Sequence, residues 1–220
     1  MTPADIVSSL RAARLFRVLS NADLKPLATP SNVLRYDPDS TIFYRGDPPH
    51  QVYLILEGRV AVESMSNQGK AIALSALGKG EVFGEMAVLD GRERSANIRT
   101  LEPTSLLAIG NNQFHALLRD HSAFAQEVIQ DLVLRLRRSD AKIESIMFFP
   151  LRRRLADLLL SMFRAQGDTI HVTQAELAHL LTATREKVNV NLQVLQKAGS
   201  IALSRGRITL LDEEILSRVR

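Results

Sequence analysis

Between Asn111 and Ile146 the chain contains neither glycine nor proline, whereas from about Ser40 to Gly110 turn-forming residues recur every few positions. This change of texture constrains the fold more than any other feature. A chain that reads with period two before Gly110 and with a period near 3.5 after it must join short strands to a long helix. The apolar runs Thr41-Ile42-Phe43-Tyr44, Val52-Tyr53-Leu54-Ile55-Leu56 and Val60-Ala61-Val62 are separated by Gly, Asp, Pro and Asn. Glycine supplies the positive φ that tight turns require. Many short strands with regular turns predict a sandwich, barrel or jelly roll. Ahead of them, a short helix is expected near Ile6 to Leu19 and another opening at Asn21, a good N-cap.

The segment after Gly110 predicts one helix, capped by Asn112 and running to about Ile146. Ala125, Ile129, Leu132, Leu136, Ser139, Ile143 and Ile146 are spaced 4, 3, 4, 3, 4, 3, a coiled-coil seam with one polar member, Ser139. A helix of that length calls for a partner along it, so a homodimer is expected. Pro150 then sits where a new helix begins, Leu151, Leu155, Leu158, Leu159 and Met162 mark its buried face, and Gly167-Asp168 ends it. The fold class is α+β, in three segments: a strand-rich domain with N-terminal helices over 1–110, a dimerisation helix over 111–147, and a third domain over 148–220.

Residues 1–145 carry 17 Lys+Arg and 17 Asp+Glu, whereas residues 146–220 carry 11 and 7, so the whole net charge of +4 falls in the third segment. A basic domain is compatible with a polyanion partner, because phosphate neutralisation and counterion release drive much of protein–DNA affinity. Cysteine is absent, which excludes disulfides and thiolate-ligated metals. No apolar run reaches the length of about 20 residues that spans a bilayer. The stretch Met1–Leu10 contains Asp5 and has no basic start before an apolar core, so no secretory leader is expected and the cytosol is the default compartment.

Thr173-Gln174-Ala175-Glu176 is a capping box, and the helix it opens buries Leu177, Ala178 and Leu181. After a short break Thr184 caps a second helix with Val188, Leu192 and Leu195 inward. Two short helices joined by such a turn make a helix-turn-helix. The outer face of the second presents Arg185, Glu186, Asn189, Gln193 and Gln196, with Lys187 and Asn191 beside them, side chains able to reach base edges or phosphates. Ile201 to Leu210 reads as two strands around a glycine turn, a wing that places Arg205 and Arg207 against backbone phosphates. Thr173, Gln174, Thr184, Arg185, Glu186, Lys187, Asn189, Asn191, Arg205 and Arg207 are the candidate DNA-binding residues.

The densest motif is Gly84-Glu85-Met86-Ala87-Val88-Leu89 followed by Arg94-Ser95-Ala96. A helical turn starting near Gly84 directs free N–H groups at an anion. Arg94 adds a forked charged donor and Ser95 a hydroxyl. Glu85 would repel a phosphate and is better suited to accept from sugar hydroxyls, so the set fits a sugar phosphate of low charge. The nearby Gly78-Lys79-Gly80-Glu81-Val82-Phe83-Gly84 is spaced GxGxxxG and lies outside any βαβ unit, so it is no dinucleotide fingerprint.

With these residues in place the chain resembles, over essentially its whole length, the catabolite activator (Crp–Fnr) family of bacterial transcription regulators. The order is β-roll, phosphate-binding cassette (Phe83 to Ala96), dimer helix and winged helix-turn-helix. The resemblance implies that Glu85 contacts the ribose 2′-hydroxyl and that Arg94 and Ser95 contact the cyclic phosphate. Gly84, Met86, Ala87 and Ala96 would line the site, and Ser139 and Asp140 on the dimer helix would read the base. It implies no catalytic activity and no cofactor beyond the effector, cyclic AMP by preference, with cyclic GMP open because Asp140 replaces a small hydroxyl residue. Implied partners are a second copy, a pseudo-palindromic double-stranded DNA site and RNA polymerase. Two departures stand out: Val190 replaces a second arginine of the prototype's recognition helix, which predicts an altered operator, and Thr182 stands where the turn often carries glycine. A regulator freed from nucleotide control, or one sensing haem through His50, His115 or His121, is the alternative. No triad, metal cluster or paired acid/base carboxylates suggest an enzyme.

Overall fold

The computed structural model describes residues 1–65 and 71–219; Gly69, one of the turn glycines of the β region, lies outside them. The chain divides into two compact units, Met1–Arg135 and Leu136–Arg220. The segment expected to act as a separate dimerisation element, 111–147, is thus shared between the two.

The first unit opens with α1 (Pro3–Ala12) and α2 (Asn21–Leu24). Helix α1 is shorter than the expected Ile6–Leu19, and both helices begin on capping boxes, Thr2 with Asp5 and Ser20 with Asp23. The cap of α2 is therefore Ser20 rather than Asn21: its hydroxyl, one residue earlier, accepts from the N3 amide.

Eight strands follow, β1 (Val33–Tyr36), β2 (Thr41–Phe43), β3 (Gln51–Glu57), β4 (Val60–Met65), β5 (Ala71–Leu77), β6 (Val82–Phe83), β7 (Asn97–Thr100) and β8 (Thr104–Gly110), with α3 (Glu85–Asp90) between β6 and β7. They form two antiparallel four-stranded sheets, ordered β1-β8-β3-β6 and β2-β7-β4-β5. Strand β3 explains why its apolar run is continuous rather than alternating. Tyr53 and Ile55 pack with Ile98, Leu106 and Phe83, while Val52, Leu54 and Leu56 pack with Ile6, Leu10 and Phe124 of the helices and with Phe16 of the turn after α1. A strand buried on both faces has no solvent side to alternate toward.

The glycine-free segment is two helices rather than one. Helix α4 (Asn111–Asp120) starts on Gly110 instead of Asn112, and α5 (Ser122–Phe148) follows a single extended residue, His121, at φ −130° and ψ 93°. Packing causes the break. Phe114 and Phe124 meet edge to face with centroids 5.6 Å apart, and Phe16 closes the group at 5.4 Å from Phe124. Ten residues of unbroken helix would separate the two rings by about 15 Å along the axis. Of the expected seam, Ile129, Leu136, Ile143 and Ile146 are exposed in the single chain.

The second unit contains α6 (Leu151–Gln166), β9 (Thr169–Ile170), α7 (Gln174–Leu181), α8 (Arg185–Lys197), β10 (Ile201–Ser204), β11 (Arg207–Leu210) and α9 (Glu213–Ser217). Pro150 is the N-cap of α6 and Gly167 its C-cap. Leu155, Leu159 and Phe163 of α6 join Leu177, Val188, Leu192 and Ile208 in one core, with Leu151, Leu158 and Met162 at its edge. A small sheet, β10-β11-β9, carries the wing. Among the described residues no helix is long and apolar enough to cross a membrane.

Candidate functional site

The cassette occupies α3 and the loop to β7. Gly84 caps α3 at φ 80° in the left-handed region, and a Cβ there would meet Arg94 Nη1 at 2.7 Å. Glycine is required twice over, by conformation and by space. The loop backbone is fixed by Gly46 N donating to Arg94 O at 3.0 Å and Arg94 N donating to Asp47 O at 2.9 Å.

Arg94 is buried, and its guanidinium donates through Nη1 to Gly84 O at 2.6 Å and through Nη2 to Gln51 O at 2.7 Å. It lies over the Phe43 ring at 4.3 Å. Nε, also buried, has no hydrogen-bond partner among the described residues. A buried charged group with an idle donor is costly unless something negative answers it. Burial pulls the Arg94 guanidinium below its ordinary value, against the opposing influence of Tyr53, Asp47 and Glu85. Ser95 is exposed beside it, Ala96 and Ala87 are buried, and Met86 is open to solvent.

Glu85 is equally buried, and its ion partner is Arg135 of α5, with Nη1 3.1 Å from Oε1. Arg135 also donates to Val82 O at 2.6 Å and pairs with Asp131 at 2.7 Å. Burial pushes the Glu85 carboxyl up, and Arg135 only partly offsets that. Sequence reasoning missed Arg135. The signal was present: Phe124 and Val128 are the buried residues of α5, and Asp131 and Arg135 continue their row at spacing 4, 3, 4. Together these groups enclose a cavity of about 70 Å³, lined by Glu85, Arg94, Ser95 and Arg135 among others. An open groove of about 1230 Å³ adjoins it and shares Arg94 and Ser95. Ser139 and Asp140 lie exposed on α5. Of the histidines weighed for haem, His115 Nε2 lies 3.0 Å from Val88 O, His121 pairs with Asp23 at 3.5 Å, and His50 is exposed.

In the second unit α7, the turn and α8 form the expected helix-turn-helix. Thr173 Oγ1 accepts from Glu176 N at 3.2 Å, and Thr184 Oγ1 accepts from Lys187 N at 3.3 Å. Thr182 takes the left-handed conformation itself, at φ 51° and ψ 49°, so the turn keeps its shape without glycine. Arg154 of α6, also missed from sequence, donates to Leu181 O at 2.9 Å and holds that turn. Arg185, Glu186 and Lys187 are exposed on α8. Gln174 Nε2 donates to Asn189 Oδ1 at 2.9 Å. Asn191 turns back to donate to Lys187 O at 2.8 Å and so leaves the outward row. Arg205 joins Gln174 and Arg185 around a groove of about 450 Å³, and Arg207 is exposed on the wing.

Two family models match the chain: the cyclic nucleotide-binding domain over residues 33–121 and the Crp-like helix-turn-helix domain over residues 153–219. The cyclic AMP receptor protein of Thermus thermophilus is 33% identical over 185 residues, 84% of this chain and 86% of that one. The solved catabolite activator protein of Thermus thermophilus superposes with a TM-score of 0.53 at 32% identity, over 92% of this chain and 96% of that one. The c-di-GMP responsive global regulator of Xanthomonas campestris superposes with a TM-score of 0.73 at 22% identity, over 82% and 93%, a likeness of fold. The chain belongs to the Crp–Fnr family: it is a cyclic-nucleotide-binding, DNA-binding transcription regulator rather than an enzyme.

Proposed function

We propose that this regulator answers to cyclic AMP, the effector for which its relative, the cyclic AMP receptor protein of Thermus thermophilus, is named. The observation that carries the reading is buried Arg94 with an idle Nε, cradled against left-handed Gly84. A cyclic phosphate carries one negative charge, which suits one guanidinium and the hydroxyl of Ser95. Glu85 accepts the ribose hydroxyl, a role that needs the ionised carboxylate Arg135 helps to maintain. Gly84, Met86, Ala87 and Ala96 shape the site. Ser139 and Asp140 read the base, an assignment that rests on the family resemblance. The cavity is far below the roughly 300 Å³ of a small-molecule site, so the nucleotide extends from it into the adjoining open groove that shares Arg94 and Ser95.

The working form is a homodimer joined along Ile129, Leu136, Ile143 and Ile146, with 1–110 sensing, 111–147 dimerising and 148–220 binding a pseudo-palindromic site. Half-sites one helical turn apart, about 34 Å, follow from two-fold symmetry. RNA polymerase is the further partner and the cytoplasm the compartment. The nucleotide acts by binding one of two dimer states more tightly than the other. Calorimetric titration of the purified protein with cyclic AMP and cyclic GMP tests the reading. Saturable binding, tighter for cyclic AMP, is expected. Absence of binding at hundreds of micromolar would leave a DNA-binding protein under another signal.

A further inference from the structure

The side-chain row of α8 that faces away from the core runs Arg185, Glu186, Asn189, Val190, at helical spacing i, i+1, i+4, i+5. Two of its members differ in kind from the charged pair. Asn189 is half-buried, because Gln174 at the start of α7 donates to its Oδ1 at 2.9 Å. Val190 is 60% exposed, a β-branched apolar side chain set among polar ones.

The amide bond fixes an otherwise free rotor. With Oδ1 held by Gln174, the Nδ2 donors of Asn189 point away from α7, and Oδ1 keeps a second lone pair. That is the donor–acceptor edge that pairs with adenine N7 and N6 in the major groove. An apolar side chain one position further on answers the one apolar group that groove displays, the thymine methyl. We infer that Asn189, positioned by Gln174, and Val190 form a unit that specifies A·T pairs in each half-site, beside the base pair read by Arg185. Asn189 contacts the base, Gln174 is a positioning residue, and Val190 packs on a thymine methyl. The inference rests on the DNA-binding reading of the second unit.

Selection from a randomised half-site library with the full-length protein, with and without cyclic AMP, tests it. The wild type should enrich an A·T pair at a position where Asn189→Ala loses the preference, with discrimination of about tenfold. Gln174→Ala should weaken that same preference by more than it lowers affinity for unrelated DNA, whereas a purely structural role would lower both alike. Replacing the half-site thymines one at a time by uracil removes only a methyl. At one position this should weaken wild-type binding about fourfold and leave Val190→Ala unaffected. Enrichment of G·C at the Asn189-sensitive position, or an Asn189→Ala loss equal on all sequences, overturns the inference while DNA binding stands. Enrichment of no sequence at all overturns the DNA reading together with it.

Discussion

Glu85 and Arg94 are each 4% exposed, whereas Arg185, Glu186 and Lys187 stand in open solvent. The two proposed recognition surfaces of this chain thus lie in opposite dielectric settings. In the cassette, charge is taken out of water, so each polar atom must be answered by a fixed partner or by the ligand. Gly84 O, Gln51 O and Arg135 are such partners. In the proposed site a few groups would therefore carry most of the affinity, and losing one would be severe. On α8 the charged side chains stay hydrated and screened, so each is worth less and its contribution falls with salt. Where such side chains discriminate, those held still contribute most, and the Gln174–Asn189 amide pair is one held element.

The sharpest way to break this contrast is Arg94→Leu. Removing a buried, hydrogen-bonded charge from a binding site costs about 3 kcal/mol or more, so calorimetry should detect no nucleotide binding while circular dichroism shows the fold intact. Undiminished affinity in this variant would place the phosphate elsewhere and end the argument from burial.

How much of this was legible in the sequence follows the same division. Local chemistry was readable: the Thr173–Glu176 box, the Thr184 cap and the helical turn starting near Gly84 each depend on residues close in the chain. The cassette was readable as a motif, but its supports were not. Arg135 reaches Glu85 across 50 positions, and the Arg94 acceptor Gln51 O is a main-chain atom that no side chain advertises. The break at His121 was hidden because no glycine or proline marks it; tertiary packing of Phe16, Phe114 and Phe124 imposes it. On the exposed face the candidate residues were all visible by periodicity. Which of them pair with each other, as Gln174 with Asn189, or fold back, as Asn191 on Lys187 O, depends on distances no pattern encodes.

A smaller effect sharpens the comparison from the exposed side. Thr182 holds φ 51° ahead of α8, a conformation that costs an L-residue about 1–2 kcal/mol. Thr182→Gly removes that strain but adds freedom to the unfolded chain, so the net gain is about 0.5–1 kcal/mol. A urea melt of the full chain should show the transition of the second unit moving to higher denaturant. A shift to lower denaturant would mean that the threonine side chain contributes more to the turn than the strain removes.

The smallest expected effect probes the buried side through pH. Burial raises the Glu85 carboxyl above its ordinary value even with Arg135 beside it. The folded chain therefore holds that proton more tightly than the unfolded chain does. Stability from this group is fully present below the ordinary carboxylate range of about 4.3 and is lost as pH rises through the raised value. Glu85→Gln, which mimics the protonated form, should flatten that part of the pH profile and raise the melting temperature of the first unit at neutral pH. The same variant should bind cyclic AMP more weakly, because an amide oxygen accepts the ribose hydroxyl less strongly than a carboxylate does. Stability and binding thus move in opposite directions, as expected where a buried charge is retained for a ligand. If Glu85→Gln melts lower at neutral pH, attraction to Arg135 outweighs desolvation, and the charge belongs to the fold as much as to the site.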